Sequence, residues 1–158
     1  MTNKELIDRY PFLIPRNVFT DKVVIDLEAD EIEHTLLDEM PKGWRIAFGE
    51  QMCEEIREVL IKYDYLNEYR IVQIKEKFGG LRWYDDGAPK EVFDIINKYE
   101  DISYTTCIQC GKPATLITKG WISPFCDDCA KSTRAYELYG KDYFRPIDKY
   151  YGGNTDNE

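Results

Sequence analysis

The chain has 158 residues, 30 of them acidic and 21 basic, for a formal net charge of −9, and 43% of its residues are hydrophobic. That is enough apolar surface to set aside a wholly disordered chain, and the length suits one compact domain or one domain with a small metal-stapled module. No apolar run approaches the roughly 20 residues of a membrane helix, the N-terminus lacks the basic-then-apolar plan of a secretory signal, and the acid excess argues against broad contact with phosphate backbones.

Residues 3–10 predict a short helix with Leu6, Ile7 and Tyr10 on one side. Pro11 and Pro15 then favour an extended stretch from Pro11 to Arg16. Residues 17–39 show no firm period. Eight carboxylates (Asp21, Asp26, Glu28, Asp30, Glu31, Glu33, Asp38 and Glu39) stand there against Lys22 alone, a local net of −7. Its central residues, Asp26, Glu28, Asp30, Glu31 and Glu33, can imitate phosphates and meet the basic surface of another protein. The plainer alternatives are a solvated connector, or one that pairs with cations of the same molecule.

Met40-Pro41-Lys42-Gly43-Trp44 opens the clearest helix, which runs to about Tyr63. Trp44, Phe48, Met52, Ile56, Val59 and Tyr63 recur three or four apart, as one buried stripe requires. Cys53 lies inside this helix and reads as a small buried apolar residue. The only histidine, His34, has acidic neighbours, so a Cys53–His34 nucleophilic pair has little in its favour.

Arg70 to Phe78 predicts a strand with Val72, Ile74 and Phe78 on one face and Ile71, Gln73, Lys75 and Lys77 on the other. Gly79-Gly80 predicts the tight turn and Leu81 to Tyr84 the returning strand. Arg70, Lys75, Lys77 and Arg82 against Glu76 make a local +3. Cations beside aromatic rings can hold a phosphate or a base, although a hairpin with wet-face lysines is the simpler account. Gln73-Ile74-Lys75, with Asp64 upstream, has the spacing of some restriction-endonuclease-like nucleases. Glutamine is a weak magnesium ligand, however, and three-residue patterns arise by chance. Pro89 opens a further helix with Val92, Ile95 or Ile96, Tyr99 and Ile102 as its stripe.

Cys107 and Cys110 form one close pair and Cys126 and Cys129 another, with fifteen residues between them. Two-residue spacing lets both thiolates of a pair face one point, and four sulfurs at about 2.3 Å satisfy tetrahedral zinc. A closed four-sulfur shell leaves no open position, so one structural zinc ion is expected. Two disulfides fit the spacing poorly, and a redox motif needs only one such pair. Gly111 follows the first pair where the backbone must turn. Ala114–Thr118 and Trp121–Phe125 predict two strands around a Lys119-Gly120 turn, and Ala130–Tyr139 a helix ended by Gly140. Knuckle, hairpin and helix describe a treble clef, with a zinc ribbon as the near alternative. After Lys141 come the rings Tyr143, Phe144, Tyr150 and Tyr151, which can pack back on the body, and residues 152–158 are expected to be disordered.

Tyr10-Pro11-Phe12-Leu13, Met40 to Trp44, the Lys75 to Arg82 hairpin core, and the two cysteine pairs with Gly111 and Ala130 occur together. In this the chain resembles a group of small, functionally uncharacterised bacteriophage and prophage proteins, over roughly residues 10–130. The resemblance implies a phage-infection setting and residence in a bacterial cytoplasm. It supplies no activity and no catalytic residues. The expectation is therefore an α+β body over residues 1–104, a zinc module over 105–140 and a tail over 141–158. The leading function is a non-catalytic phage accessory protein that binds a host or defence protein, as an inhibitor. Nucleic-acid binding through Arg70, Lys75, Lys77 and Arg82 is the alternative, and a metal-dependent nuclease ranks last. No membrane partner is expected.

Overall fold

A computed structural model of the chain describes residues 1–155, as a mixture of helices with two small antiparallel sheets. Helix α1 (Asn3–Arg9) begins at a reciprocal cap: the Glu5 amide donates to the Thr2 hydroxyl and the Thr2 amide to the Glu5 carboxylate. Leu6, Ile7 and Tyr10 are buried, as the spacing predicts. The next segment is extended only from Ile14, with Arg16 in an antiparallel bridge to Val23. Pro11–Leu13 closes as a 3₁₀ turn, for which the fixed φ of proline is already set, and it buries Phe12 and Leu13.

The acidic segment is irregular but tethered. The Asn3 side-chain Nδ2 donates to Ile32 O at 2.7 Å and the Lys4 ammonium to Ala29 O at 2.7 Å. Buried Thr35 then caps a 3₁₀ turn over Leu36–Glu39.

The long central helix comprises α2 (Lys42–Trp44), a π turn (Arg45–Gly49) and α3 (Glu50–Lys62). Its buried row is Trp44, Phe48, Met52, Ile56 and Leu60. A row at every fourth residue drifts by about 40° per step around 3.6-residue turns. The wider π turn takes up part of that drift and keeps Trp44 and Phe48 on the core side. Past Ile56 the row runs to Leu60, with the expected Val59 half-buried against the core, while the expected Tyr63 is exposed. At the outer edge Glu54 accepts from Arg9 Nε at 2.8 Å and from the Tyr10 hydroxyl at 2.7 Å. These donors, Arg9 first, bring the Glu54 carboxyl down to about 2.

Strands β1 (Ile71–Lys77) and β2 (Gly80–Asp85) form the hairpin. A bulge between Ile71 and Gln73 puts Ile71 and Ile74 on the core face together and turns Val72 outward, 48% exposed. That corrects the simple alternation expected from the sequence. The turn is also one residue earlier than expected. Lys77 pairs with Gly80, and Phe78 and Gly79 form the two-residue loop, at φ 55° and 81°. Helix α4 (Lys90–Ser103) packs on the sheet with Val92, Tyr99 and Ser103 buried, while Ile102, expected in its stripe, is exposed. Ser103 sits inward because its hydroxyl accepts the Leu81 amide at 2.8 Å.

The C-terminal part holds β3 (Leu116–Thr118), β4 (Pro124–Phe125), α5 (Asp127–Lys131), α6 (Arg134–Tyr139), β5 (Phe144–Pro146) and α7 (Ile147–Thr155). The expected single helix after Cys129 is broken at Ser132, because Thr133 caps a new one by accepting the Tyr136 amide at 3.1 Å. The tail returns as a third strand, giving the order β4-β3-β5, and Phe144 is buried beside Phe125 and Tyr136. Helix α7 ends at Thr155, and residues 156–158, which belong to the stretch expected to be disordered, lie outside the described residues. No helix among the described residues is long and apolar enough to cross a membrane.

The two parts meet at Gly43. Its amide donates to Ile108 O at 2.9 Å, and a Cβ there would lie 2.2 Å from Cys107 O. Next to it the buried Trp44 indole donates to Thr106 O at 2.9 Å. Gly43→Ala must therefore part the helix from the segment it touches, an overpacking that costs about 1–3 kcal/mol. Thermal melts should show the midpoint falling by roughly 3–10 °C, and an unchanged midpoint would contradict the contact. The Glu54 cluster predicts a pH effect of defined sign. Its stability is present above the ordinary carboxyl value of 4.5 and is lost as pH falls towards 2. Denaturant titrations of Glu54→Gln across that window should give a shallower acid limb than the parent chain.

Candidate metal centre

Cys107 opens a tight knuckle in which its amide donates to Lys112 O at 2.7 Å and the Gly111 amide returns to Cys107 O at 3.0 Å. Gly111 makes this turn at φ 84°. The Ile108 amide reaches Pro124 O at 3.0 Å, which draws the knuckle to the strand leading into Cys126. Cys126 is the residue that caps α5, and Cys129 lies in that helix's first turn. The four sulfurs all lie within 4.8 Å of one another, with Cys110 and Cys126 3.6 Å apart. A tetrahedron with metal–sulfur bonds of about 2.3 Å has edges of about 3.8 Å, so the arrangement has the size such an ion needs.

Backbone amides point at the sulfurs. Lys112 N lies 3.5 Å from Cys110 Sγ and Cys129 N 3.4 Å from Cys126 Sγ. Burial opposes ionisation of Cys107, but amides of Cys126, Cys110 and Gln109 outweigh it and bring that thiol down to about 7. Burial, followed by the crowding of the other thiols, pushes Cys129 up, and burial likewise raises Cys126. Four thiols this close resist joint ionisation until a cation joins them, and a divalent ion reverses that balance. Cys107 and Cys126 are buried and the other two half-buried. Four soft donors complete a tetrahedral shell with no place left for a substrate, so the cluster is suited to holding an ion and not to using it in a reaction.

The remaining sequence-predicted residues are scattered. Asp26, Glu28, Asp30, Glu31 and Glu33 are all exposed, and none takes part in an ion pair among the described residues. The basic hairpin set is divided. Arg70 Nε donates to Asp21 at 2.7 Å, within the acidic segment itself, and Arg82 pairs with Glu100 at 3.1 Å with its side chain 19% exposed. Lys75 and Lys77 have no such partner among the described residues. Asp64 belongs to no group of three His, Cys, Asp or Glu side chains that could hold a metal ion among the described residues. Cys53 is fully buried, where burial pushes its thiol well up, and His34 faces Asp38 and Glu39 instead. Sequence reasoning overlooked Trp121, which it placed in a strand. The Lys119-Gly120 turn beside it was the available sign that it stands at a hairpin tip, where it is 77% exposed.

No protein-family model, curated protein or solved structure matches this chain.

Elemental analysis of the purified protein should find about one divalent ion per chain, lost together with cooperative melting in Cys107→Ser and in Cys129→Ser. A metal-free protein that melts at the same temperature as the parent would refute the assignment.

Proposed function

We propose that the chain is a zinc-stabilised, non-catalytic binding protein that engages a host or defence protein through its acidic segment during phage infection, and inhibits it by occupying a basic surface. The observation that carries this reading is the run of five exposed carboxylates, Asp26, Glu28, Asp30, Glu31 and Glu33, which form no ion pair among the described residues, while Arg16 and Arg70 are drawn to Asp21 at the segment's start. Fixed like charges left open on a tethered loop steer association with an oppositely charged partner and fix its register.

Zinc is the ion that this donor set suits best: a divalent, non-redox metal that accepts four thiolates in tetrahedral geometry. The order of knuckle, hairpin and short helix, with Cys126 and Cys129 at the helix start, supports a treble-clef description over a zinc ribbon. The phage setting and cytoplasmic residence come from the resemblance of the Met40 to Trp44, Lys75 to Arg82 and paired-cysteine motifs. A reducing cytoplasm also favours free thiolates over disulfides.

The test is a pull-down from infected cells with the parent chain and with a variant carrying Asp26→Asn, Glu28→Gln, Asp30→Asn, Glu31→Gln and Glu33→Gln. The parent should recover one protein partner, with an association rate about tenfold or more above that of the variant at low salt. Metal content and melting should be unaltered. Equal recovery by both forms, or recovery of nucleic acid without protein, would refute the reading.

A further inference from the structure

Two hairpin tips abut beside the metal module. At the β1–β2 tip, Phe78 occupies the left-handed region at φ 55° and is 69% exposed. Asparagine or glycine would hold that turn position with less strain. Gly79 follows at φ 81°, and a Cβ on it would lie 2.9 Å from Ile122 Cγ2 at the β3–β4 tip. That second tip carries Trp121. Its backbone is fixed from below, since buried Thr118 bonds through its hydroxyl to Trp121 O and accepts the Ser123 amide at 2.8 Å. A notch of about 340 Å³ lies between the tips, bordered by Lys75, Glu76, Lys77, Phe78, Trp121 and Ile122. Neither Phe78 nor Trp121 takes part in a ring pair among the described residues; Trp121 is open to solvent, and Phe78 carries the Lys77 ammonium over its ring.

The charges around this notch are specific. Lys75 and Lys77 are two residues apart on one face of β1, which spaces them by about 6.7 Å. They lack carboxylate partners among the described residues, unlike Arg70 and Arg82. The Lys77 ammonium lies 5.5 Å from the Phe78 ring centre and the Lys75 ammonium 5.8 Å from that of Tyr84. Flat exposed rings beside paired cations suit a ligand that is itself flat and anionic. The two lysines sit at about the interval of successive phosphates in an extended single strand. A duplex hides its base faces and presses two rows of phosphates on the protein, which a chain of net −9 repels. A narrow two-phosphate contact with one splayed base avoids that cost.

We infer that this notch binds single-stranded nucleic acid, with an unstacked base against Trp121 and Phe78 and its flanking phosphates on Lys75 and Lys77. The site goes beyond the proposed protein partner and does not depend on it: the acidic segment is a separate surface, and either can fail alone.

The experiment is fluorescence anisotropy of the metal-loaded full chain with labelled oligonucleotides of about 12 nucleotides, as single-stranded DNA, single-stranded RNA and duplex. Either single strand should bind more tightly than the duplex. Trp121→Ala should weaken binding about tenfold or more, with Trp121→Phe retaining most of it. Two phosphate contacts predict about a sevenfold loss of affinity between 50 and 200 mM salt, reduced in Lys75→Gln with Lys77→Gln. Trp121 is exposed, so metal content and melting of these variants should equal the parent's and rule out misfolding as the cause. Binding that ignores Trp121→Ala, duplex binding as strong as single-strand binding, or no binding at all would overturn the inference. So would protection of Trp121 from oxidation by a host polypeptide and by no oligonucleotide.

Discussion

The Gly43 amide donates to Ile108 in the first cysteine knuckle, and the two backbones approach so closely there that no side chain fits between them. The other contacts between body and metal module are arranged around this point. Trp44, the first large residue of the central row, is fully buried and spends its one polar group on Thr106, just before Cys107. On the far side the β-hairpin tip presses Gly79 on Ile122, and Ser103 fixes the second strand to the helix that delivers the chain to the cysteines. A metal ion that orders the knuckle would therefore order the start of the central helix as well. Ligand thiolates that are disordered in the unfolded chain convert metal affinity into folding free energy, and this contact carries it into the body.

The same packing sorts the charges. An isolated arginine on a half-buried face is costly unless a carboxylate meets it, and both hairpin arginines are met, Arg70 by Asp21 and Arg82 by Glu100. Lys75, opposite Arg82, and Lys77, next to the tip, form no ion pair among the described residues, and Lys77 is exposed to water. The outcome is a molecule with two unlike surfaces. One is a tethered acidic loop whose central carboxylates face solvent. The other is a small aromatic notch flanked by two ammonium groups. Neither surface resembles a reaction centre. The only thiol outside the metal cluster is sealed in the core and held protonated by burial.

Much of this was written in the sequence because it depends on near neighbours. The cysteine spacing alone places two thiolates on each side of an ion, and the four sulfurs do cluster. Helix α1, the central helix, the hairpin and α4 follow from apolar periodicity, glycine and proline. These signals operate within a turn or two of the chain, so no distant contact is needed to express them. The departures have equally local signs but non-local causes. The bulge at Val72 lets both Ile71 and Ile74 reach the core, a demand set by what the hairpin packs on. The buried row ends on Leu60, and Tyr63, at the C-cap where α3 stops, is left exposed.

By itself, then, the sequence determined the two cysteine pairs that cluster, the helical and hairpin elements, and the presence of an acidic and a basic stretch, all properties of residues close in the chain. Only the tertiary structure decided which charges remain free, that the tail supplies a third strand, and that Phe78 and Trp121 border one notch. Each of those outcomes joins residues eighteen or more positions apart. The energy of such a pairing exists only after the intervening chain has folded, so no local pattern records it.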